Sequence, residues 1–349
     1  MIQLTIGTNT YNIQVGYGDH SSGTSTLPHI VVTTDLPEGS TISLSFGSDD
    51  HPLVVGLRSY HRPDIDSYSN IFSYIIEKSK SFTVYGNVDT LTIIELSTAT
   101  TLEISKNTML KRLSCYGGVL LKSLDISKCV ALQELEVPFA GLTALDVSHN
   151  PALTYLHCGY NHLTTLDVSH NPALTHLSCF NNQLTALDVS KNAALGYLNC
   201  DDNKLTNLII GNANLMWYLD CSDNKLTTLD VSKIIFLRSL DCSNNQLSTL
   251  DGSDLSYLEE IHCNDNNITR LRIPNNVHYL WCYNNYIYGD EMESFIDSLV
   301  KPENANGHAR VISTMATEHN KITKEQVDKA KMNGWIIENQ YGTLITGDN

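Results

Sequence analysis

Six cysteines of this 349-residue chain, Cys158, Cys179, Cys200, Cys221, Cys242 and Cys263, are separated by five successive intervals of 21 residues. A fixed period of this length dictates one short unit stacked on the next, because so short a unit cannot bury its own apolar face alone. The repeat also sets how the cysteines are read. Nine of them in a small secreted chain would suggest a disulfide framework, but cysteines at one phase of a stack stand parallel, about 4.8 Å apart. A disulfide wants converging Cβ atoms about 3.8 Å apart. The cysteines are therefore expected to be small buried hydrophobes.

One unit, Leu153 to Asn171, reads LTYLHCGYNHLTTLDVSHN, and its first eleven residues fit the pattern L-x-x-L-x-L-x-x-N-x-L of a leucine-rich repeat. Leu113 with Cys115, Leu135 with Val137 and Leu280 with Cys282 occupy the same slots, and LTIIELSTATTLEIS from Leu91 is a degenerate earlier turn. The spacing predicts about ten coils over residues 91–285. In Tyr155-Leu156-His157-Cys158, out-in alternation argues a short strand with Leu156 and Cys158 inward. The recurring LDVS, as in Leu166-Val168, Leu187-Val189 and Leu229-Val231, is a second extended segment on the opposite wall. Asn161, Asn182, Asn203, Asn224, Asn245, Asn266 and Asn285 each follow a ladder cysteine (Cys158, Cys179, Cys200, Cys221, Cys242, Cys263, Cys282) by three residues. An amide both donates and accepts, so a stacked row of them satisfies turn backbone groups. Cys115 belongs to the same cysteine ladder. Cys129 stands where Asn150 stands one unit later, off the ladder, and is expected to be the reactive thiol.

The predicted fold class is a leucine-rich-repeat solenoid, curved, with parallel β on its concave face and short extended segments on its convex face. Its raw apolar ends need covers. Residues 1–90 contain the runs IQLTI, HIVVTT, TISLSF and SFTVYG between Gly, Pro and Asp clusters, which argue antiparallel strands in a β-rich cap or a small β-domain. Residues 286–349 read as an α/β cap. Met292, Phe295, Ile296 and Leu299 recur at helical spacing, ARVIST reads as a strand, and Thr323 with Gln326 has capping-box spacing for a second helix. Gly334 would end that helix, with Trp335 sealing the last coil.

The units LTALDVSHNPALTYLHCGYNHLTTLDVSHN and LTALDVSKNAALGYLNCDDNKLTNL resemble the cysteine-ladder leucine-rich repeats of bacterial surface proteins, the internalins. The resemblance spans about Leu91 to Asn285. It implies an arc at the cell surface or secreted, often on a lipid or wall anchor, that binds a host or environmental macromolecule through its concave face. The opening MIQLTIGTNTYNIQVG shows no basic stretch, apolar core or cleavage site of an export signal.

Composition and motifs narrow the function. The net charge of −16 opposes the phosphate contacts that dominate nucleic-acid binding, and no apolar run reaches the roughly 18 residues of a membrane helix. No P-loop, dinucleotide, metalloprotease or serine-hydrolase signature occurs in a suitable context, so a non-catalytic monomer without cofactor or metal is expected. His149 and His170 share a repeat phase that Lys191 takes next, which is repeat drift. Outward positions of the strands form three columns. The first holds Tyr155, His176, Tyr197, Tyr218, Ser239, Glu260 and Tyr279. The second runs from Glu136 through His157, Ser178, Asn199, Asp220, Asp241 and His262 to Trp281, and the third from Pro138 through Gly159, Phe180, Asp201, Ser222, Ser243 and Asn264 to Tyr283. Aromatic residues of this kind are enriched at binding hot spots. Tyr155, His157, His176, Phe180, Tyr197, Asn199, Asp201, Tyr218, Asp220, Asp241, Trp281 and Tyr283 are thus candidate ligand-binding residues, the alternative being that the rings only stack across strands to stabilise the sheet. The expected ligand is a protein, whose cations would meet the carboxylates and rings, or a surface glycan. The remaining reading is a structural spacer.

Overall fold

The computed structural model describes the strands lying within residues 2–103 and, with side chains, residues 88–93, 102–105, 107–116, 121, 123–299, 307–312 and 318–345. The chain forms two compact units, Met1–Leu153 and Thr154–Asn349.

In the first unit the β-rich runs read from the sequence are strands, and they pair antiparallel. Ile2–Ile6 pairs with Asn9–Ile13, His29–Thr34 with Ser81–Tyr85, and Thr41–Phe46 with Ile71–Ile76. The change of architecture falls on one strand, Thr90–Ile94. One edge pairs antiparallel with Thr41–Phe46, while the other pairs parallel with Arg112–Cys115, setting Leu91 beside Leu113 and Ile93 beside Cys115. The degenerate turn expected at Leu91 is therefore the first parallel neighbour of the repeat, although residues 95–98 of that run lie outside the described residues. Arg112–Cys115 then pairs parallel with Glu134–Glu136.

The second unit contains the regular coils. Strands Tyr155–His157, His176–Ser178, Tyr197–Asn199, Tyr218–Asp220, Ser239–Asp241, Glu260–His262 and Tyr279–Trp281 lie side by side in parallel, continued by Gly307–Ile312 and Trp335–Asn339. Register follows the 21-residue period, with Leu156, Leu177, Leu198, Leu219, Leu240, Ile261 and Leu280 stacked on the buried side. The LDVS walls give two-stranded parallel pairs, Ala186–Asp188 with Asn207–Ile209 and Thr249–Asp251 with Arg270–Arg272.

All nine cysteines are free and buried. Burial pushes the Cys158 thiol up to about 12 and those of Cys179, Cys200, Cys221, Cys242 and Cys263 well above the ordinary thiol range, so they pack as neutral hydrophobes. The asparagine ladder works as its amide chemistry requires. Asn182 Nδ2 donates to Cys158 O and Cys179 O, each at 3.0 Å, while its Oδ1 accepts from Leu163 N at 3.0 Å. Asn203, Asn224, Asn245 and Asn266 repeat the arrangement. The residue before each ladder asparagine takes a left-handed φ, from 47° at Asp202 to 55° at Asp265. Asn and Asp tolerate that region better than other L-residues, which accounts for Asn181, Asp202, Asp223, Asn244, Asp265 and Asn284 there.

A second asparagine row runs at the other turn, where Asn192 Nδ2 donates to Val168 O at 2.9 Å and Asn171 O at 2.8 Å. From the next coil it gives way to Ala213, Ile234 and Leu255, all buried. Cys129 belongs to this phase, and the expectation that it is reactive is corrected. It is fully buried, its Sγ lies 3.8 Å from Asn107 O and 3.9 Å from Ile104 O, and burial pushes the thiol up to about 11. A neutral, enclosed thiol is a poor nucleophile.

After the last regular coil, α1 (Gly289–Ser298) buries Met292, Phe295 and Ile296. Helix α2 (Lys324–Met332) begins with the capping box formed by Thr323 and Gln326. Lys329 of α2 pairs with Glu293 and Asp297 of α1. Strand Gly307–Ile312 covers most of ARVIST, whose Ser313 and Thr314 lie outside the described residues. Gly334 takes φ 78° after α2, and Trp335 is buried against Gly307, where an added Cβ would fall 2.4 Å from the indole. Asn320 extends the ladder by donating to Cys282 O and Val311 O, each at 2.8 Å.

Candidate functional site

The short strands alternate a buried centre with half-buried flanks, so the outward columns stand on the solvent side of the second unit's sheet. Register alone sets the first column in a row: Tyr155, His176, Tyr197 and Tyr218 are neighbours on successive strands. Their rings stack along it, with centroids 5.7, 5.9 and 4.6 Å apart, the last pair inclined by only 4°. Tyr197 is therefore covered on both faces and offers solvent its edge and hydroxyl. The row stops at Tyr218, because the next strand carries Ser239.

Beside the row stand the carboxylates. Asp220 Oδ1 accepts from Ser222 N at 3.0 Å and Ser222 Oγ at 2.7 Å, and Asp241 has the same arrangement with Ser243. Asp201 lacks a following serine, and no hydrogen-bond partner reaches its buried Oδ1. Burial and the neighbouring Asp220 push its carboxyl up to about 6. Burial also raises Asp220. At Asp241 burial acts upward too, but hydrogen bonds from His262 and Ser243 outweigh it and hold the group below the usual carboxylate range. Desolvation followed by the Asp220 charge keeps Tyr218 protonated well past the usual phenol range. From Tyr155 to Tyr283 the three columns contain Asp201, Asp220, Asp241 and Glu260 but no Lys or Arg.

The other candidates fall into two groups. His157 stacks on Phe180 at 5.8 Å, and Phe180 meets Tyr160 edge-on at 4.9 Å. Gly159 makes room for that ring, since a Cβ there would lie 2.8 Å from Phe180. At the C-terminal end Trp281 is held between His262, with ring centroids 3.9 Å apart, and Arg310, whose guanidinium carbon lies 4.5 Å from the indole centroid. His262 in turn sits 3.2 Å from Asp241 and 3.1 Å from Glu260. Asn199 accepts from Asp201 N at 3.1 Å. The structure thus joins Tyr155, His176, Tyr197 and Tyr218 with Asp201, Asp220 and Asp241, and sets Trp281 and Tyr283 further along the sheet. His157 and His176 belong to different ring stacks, and among the described residues no group of three or more His, Cys, Asp or Glu is arranged to hold a metal.

Residues outside the three columns also border the row. Trp217 lies 5.7 Å from Tyr197 and 5.9 Å from Tyr218, its indole resting over Gly196, whose added Cβ would meet Nε1 at 3.1 Å. Leu215, Phe236 and Tyr257 occupy the turn before each strand and are 60%, 43% and 47% exposed. A signal for them existed in the sequence: at their phase the earlier coils carry Ala152, Ala173 and Ala194.

Comparison with known proteins agrees with this architecture. The family model for leucine-rich repeats in two copies matches residues 151–192, and that for a single leucine-rich repeat matches residues 236–258. No curated protein matches the chain. Among solved structures, the leucine-rich repeat domain of APL1B is 17% identical with a TM-score of 0.50, covering 68% of this chain and 80% of that one. The functional domain of InlJ from Listeria monocytogenes, described as including a cysteine ladder, is 26% identical with a TM-score of 0.44, covering 76% of each chain. A leucine-rich-repeat protein of Leptospira interrogans is 22% identical with a TM-score of 0.43, covering 68% of this chain and 74% of that one.

Proposed function

This chain is a leucine-rich-repeat protein of the 21-residue, cysteine-ladder type, and we propose that it is a non-catalytic extracellular protein that binds another protein through the outward strand columns of its second unit. Leucine-rich repeats are protein-interaction scaffolds in general, and among the described residues no helix is long and apolar enough to cross a membrane. The flanks, residues 1–90 and 286–349, serve in this reading as covers for the repeats of 91–285.

The observation that carries the reading is the edge-on aromatic row beside carboxylates that no lysine or arginine of the columns offsets. Rigid aromatic side chains lose little freedom on binding, and those with hydroxyls contribute both apolar area and hydrogen bonds. Half-buried carboxylates with no lysine or arginine among them favour a partner that supplies cations. The same geometry weighs against a glycan. A sugar needs a free ring face, and the faces of Tyr197 are covered by His176 and Tyr218, those of Trp281 by His262 and Arg310.

Capture of host-surface proteins by the intact chain is the test, with Tyr197→Ala/Tyr218→Ala alongside and a glycan array in parallel. The double variant should lose about tenfold or more in affinity while its melting temperature shows the repeat still folded. Undiminished protein capture would refute the site. Glycan binding lost in the variant would assign the surface to carbohydrate, and binding of neither ligand would favour a spacer.

A further inference from the structure

The drift at the turn before each strand has a consequence for the kind of partner this face accepts. Where Ala173 and Ala194 stand in earlier coils of the second unit, three successive coils present Leu215, Phe236 and Tyr257. Phe236 and Tyr257 touch, with ring centroids 5.3 Å apart. Trp217 and Ile235, each 44% exposed, extend the apolar surface, and Trp217 carries it to Tyr197 and Tyr218. Exposed apolar side chains scattered singly need no explanation, but a row of them on adjacent coils marks an interaction surface. Nothing in the repeat requires it, since alanine fills the same turn elsewhere.

Charge identifies the occupant. The columns beside this apolar rim hold Asp220, Asp241 and Glu260, where His262 touches the last two but no lysine or arginine stands, and the arginine within the rim, Arg238, is already paired with Glu259 at 3.2 Å. A segment lying across both surfaces would therefore bring apolar side chains to the rim and cations to the columns. We propose that the rim formed by Leu215, Trp217, Phe236 and Tyr257 and the carboxylates Asp220, Asp241 and Glu260 together bind a cationic, amphipathic segment of a partner protein. The inference rests on the protein-binding reading above and names the partner's chemistry. Its two surfaces have separable roles: the carboxylates steer and select, and the rim supplies the desolvated anchor.

The test uses fluorescence anisotropy with the intact chain at physiological salt and labelled ten-residue peptides that alternate Lys with Leu, Lys with Ser, and Glu with Leu. The Lys–Leu peptide is expected to bind at least tenfold more tightly than either control. Leu215→Ala/Phe236→Ala/Tyr257→Ala and, separately, Asp220→Asn/Asp241→Asn should each weaken it tenfold or more, with unchanged circular dichroism. Phe236→Lys is a second rim variant, confined to one exposed turn residue, and should do the same. Equal binding of the Lys–Ser peptide would show that charge alone acts, equal binding of the Glu–Leu peptide that apolarity alone acts, and either overturns the proposal. So does a rim variant that binds like the parent, or a sedimentation-velocity dimer that the rim variant converts to monomer, which would give the rim to a second copy of this chain. If the rim variant leaves protein capture intact while Tyr197→Ala/Tyr218→Ala abolishes it, the rim inference fails alone. If neither variant affects capture, the reading beneath it fails too.

Discussion

Asp201 holds a proton that the unfolded chain gives up more readily: its carboxyl is pushed up to about 6 by burial and Asp220, against about 3.9 for a free aspartate. The native state therefore binds more protons between roughly pH 4 and 6, and the cost of ionised Asp201 is complete above that window and absent below it. Asp201→Asn should raise stability at pH 7 and leave it unchanged at pH 4. Since the side chain is only half-buried, solvent screening reduces the gain to about 1 kcal/mol. Urea titrations at both pH values decide this, and an equal gain at both would place its origin elsewhere than in the charge. The cysteine ladder offers a second single-atom test. Replacing a buried thiol by a hydroxyl without a partner costs about 1–3 kcal/mol. Cys200 Sγ already lies 3.4 Å from Asp220 O, an acceptor a serine could use, whereas Cys179 has no such neighbour among the described hydrogen bonds. Cys179→Ser should thus lower the urea midpoint more than Cys200→Ser, and the reverse order would mean that ladder packing, not hydrogen bonding, sets the cost.

Elements were legible where spacing alone determines them. The ladder leucines, cysteines and asparagines repeat at 21 residues, and the capping box of α2 lies in the three-residue step from Thr323 to Gln326. Asn320 was not legible, because α1 and the Gly307–Ile312 strand intervene between it and Asn285 and break the period. Cys129 was misread because its departure from Asn150 looked like a gain of chemistry. Its phase is one where buried Ala213, Ile234 and Leu255 are also accepted, so the slot requires dryness more than an amide. The apolar rim was in plain view as a substitution of Ala by Leu, Phe and Tyr, yet turn positions are conventionally read as solvent-facing, and only side-chain exposure revealed the row. The close approach of Gly307 to Trp335 is likewise tertiary. Gly307→Ala would drive a methyl group into the indole and should cost about 1–3 kcal/mol by overpacking, read as a lower melting temperature; Gly307→Ala combined with Trp335→Phe should recover part of it. An unchanged melting temperature for the single variant would mean that the last strand shifts freely, and that Trp335 does not seal the coil.

In a stacked array each coil is stabilised by its two neighbours, so stability within the second unit is a sum of local and nearest-neighbour contributions instead of one indivisible quantity. The outward columns inherit this property. The edges of Tyr197 and Tyr218 keep their spacing because Leu198 and Leu219 stack beneath them, and that support is anchored from the C-terminal side through the Tyr279–Trp281, Gly307–Ile312 and Trp335–Asn339 strands. Opening is easiest where a coil lacks one neighbour, and the terminal strand there buries Trp335, the largest fully buried side chain among the described residues. Trp335→Ala should consequently loosen the array from that end. Hydrogen exchange is expected to accelerate most at Gly307–Ile312, less at Tyr279–Trp281 and Glu260–His262, and least at Tyr155–His157, by the attenuation a nearest-neighbour chain imposes. Uniform acceleration across these strands would instead show that the second unit opens as one cooperative block, in which case substitutions at the C-terminal end would weaken the aromatic row as strongly as substitutions beneath it.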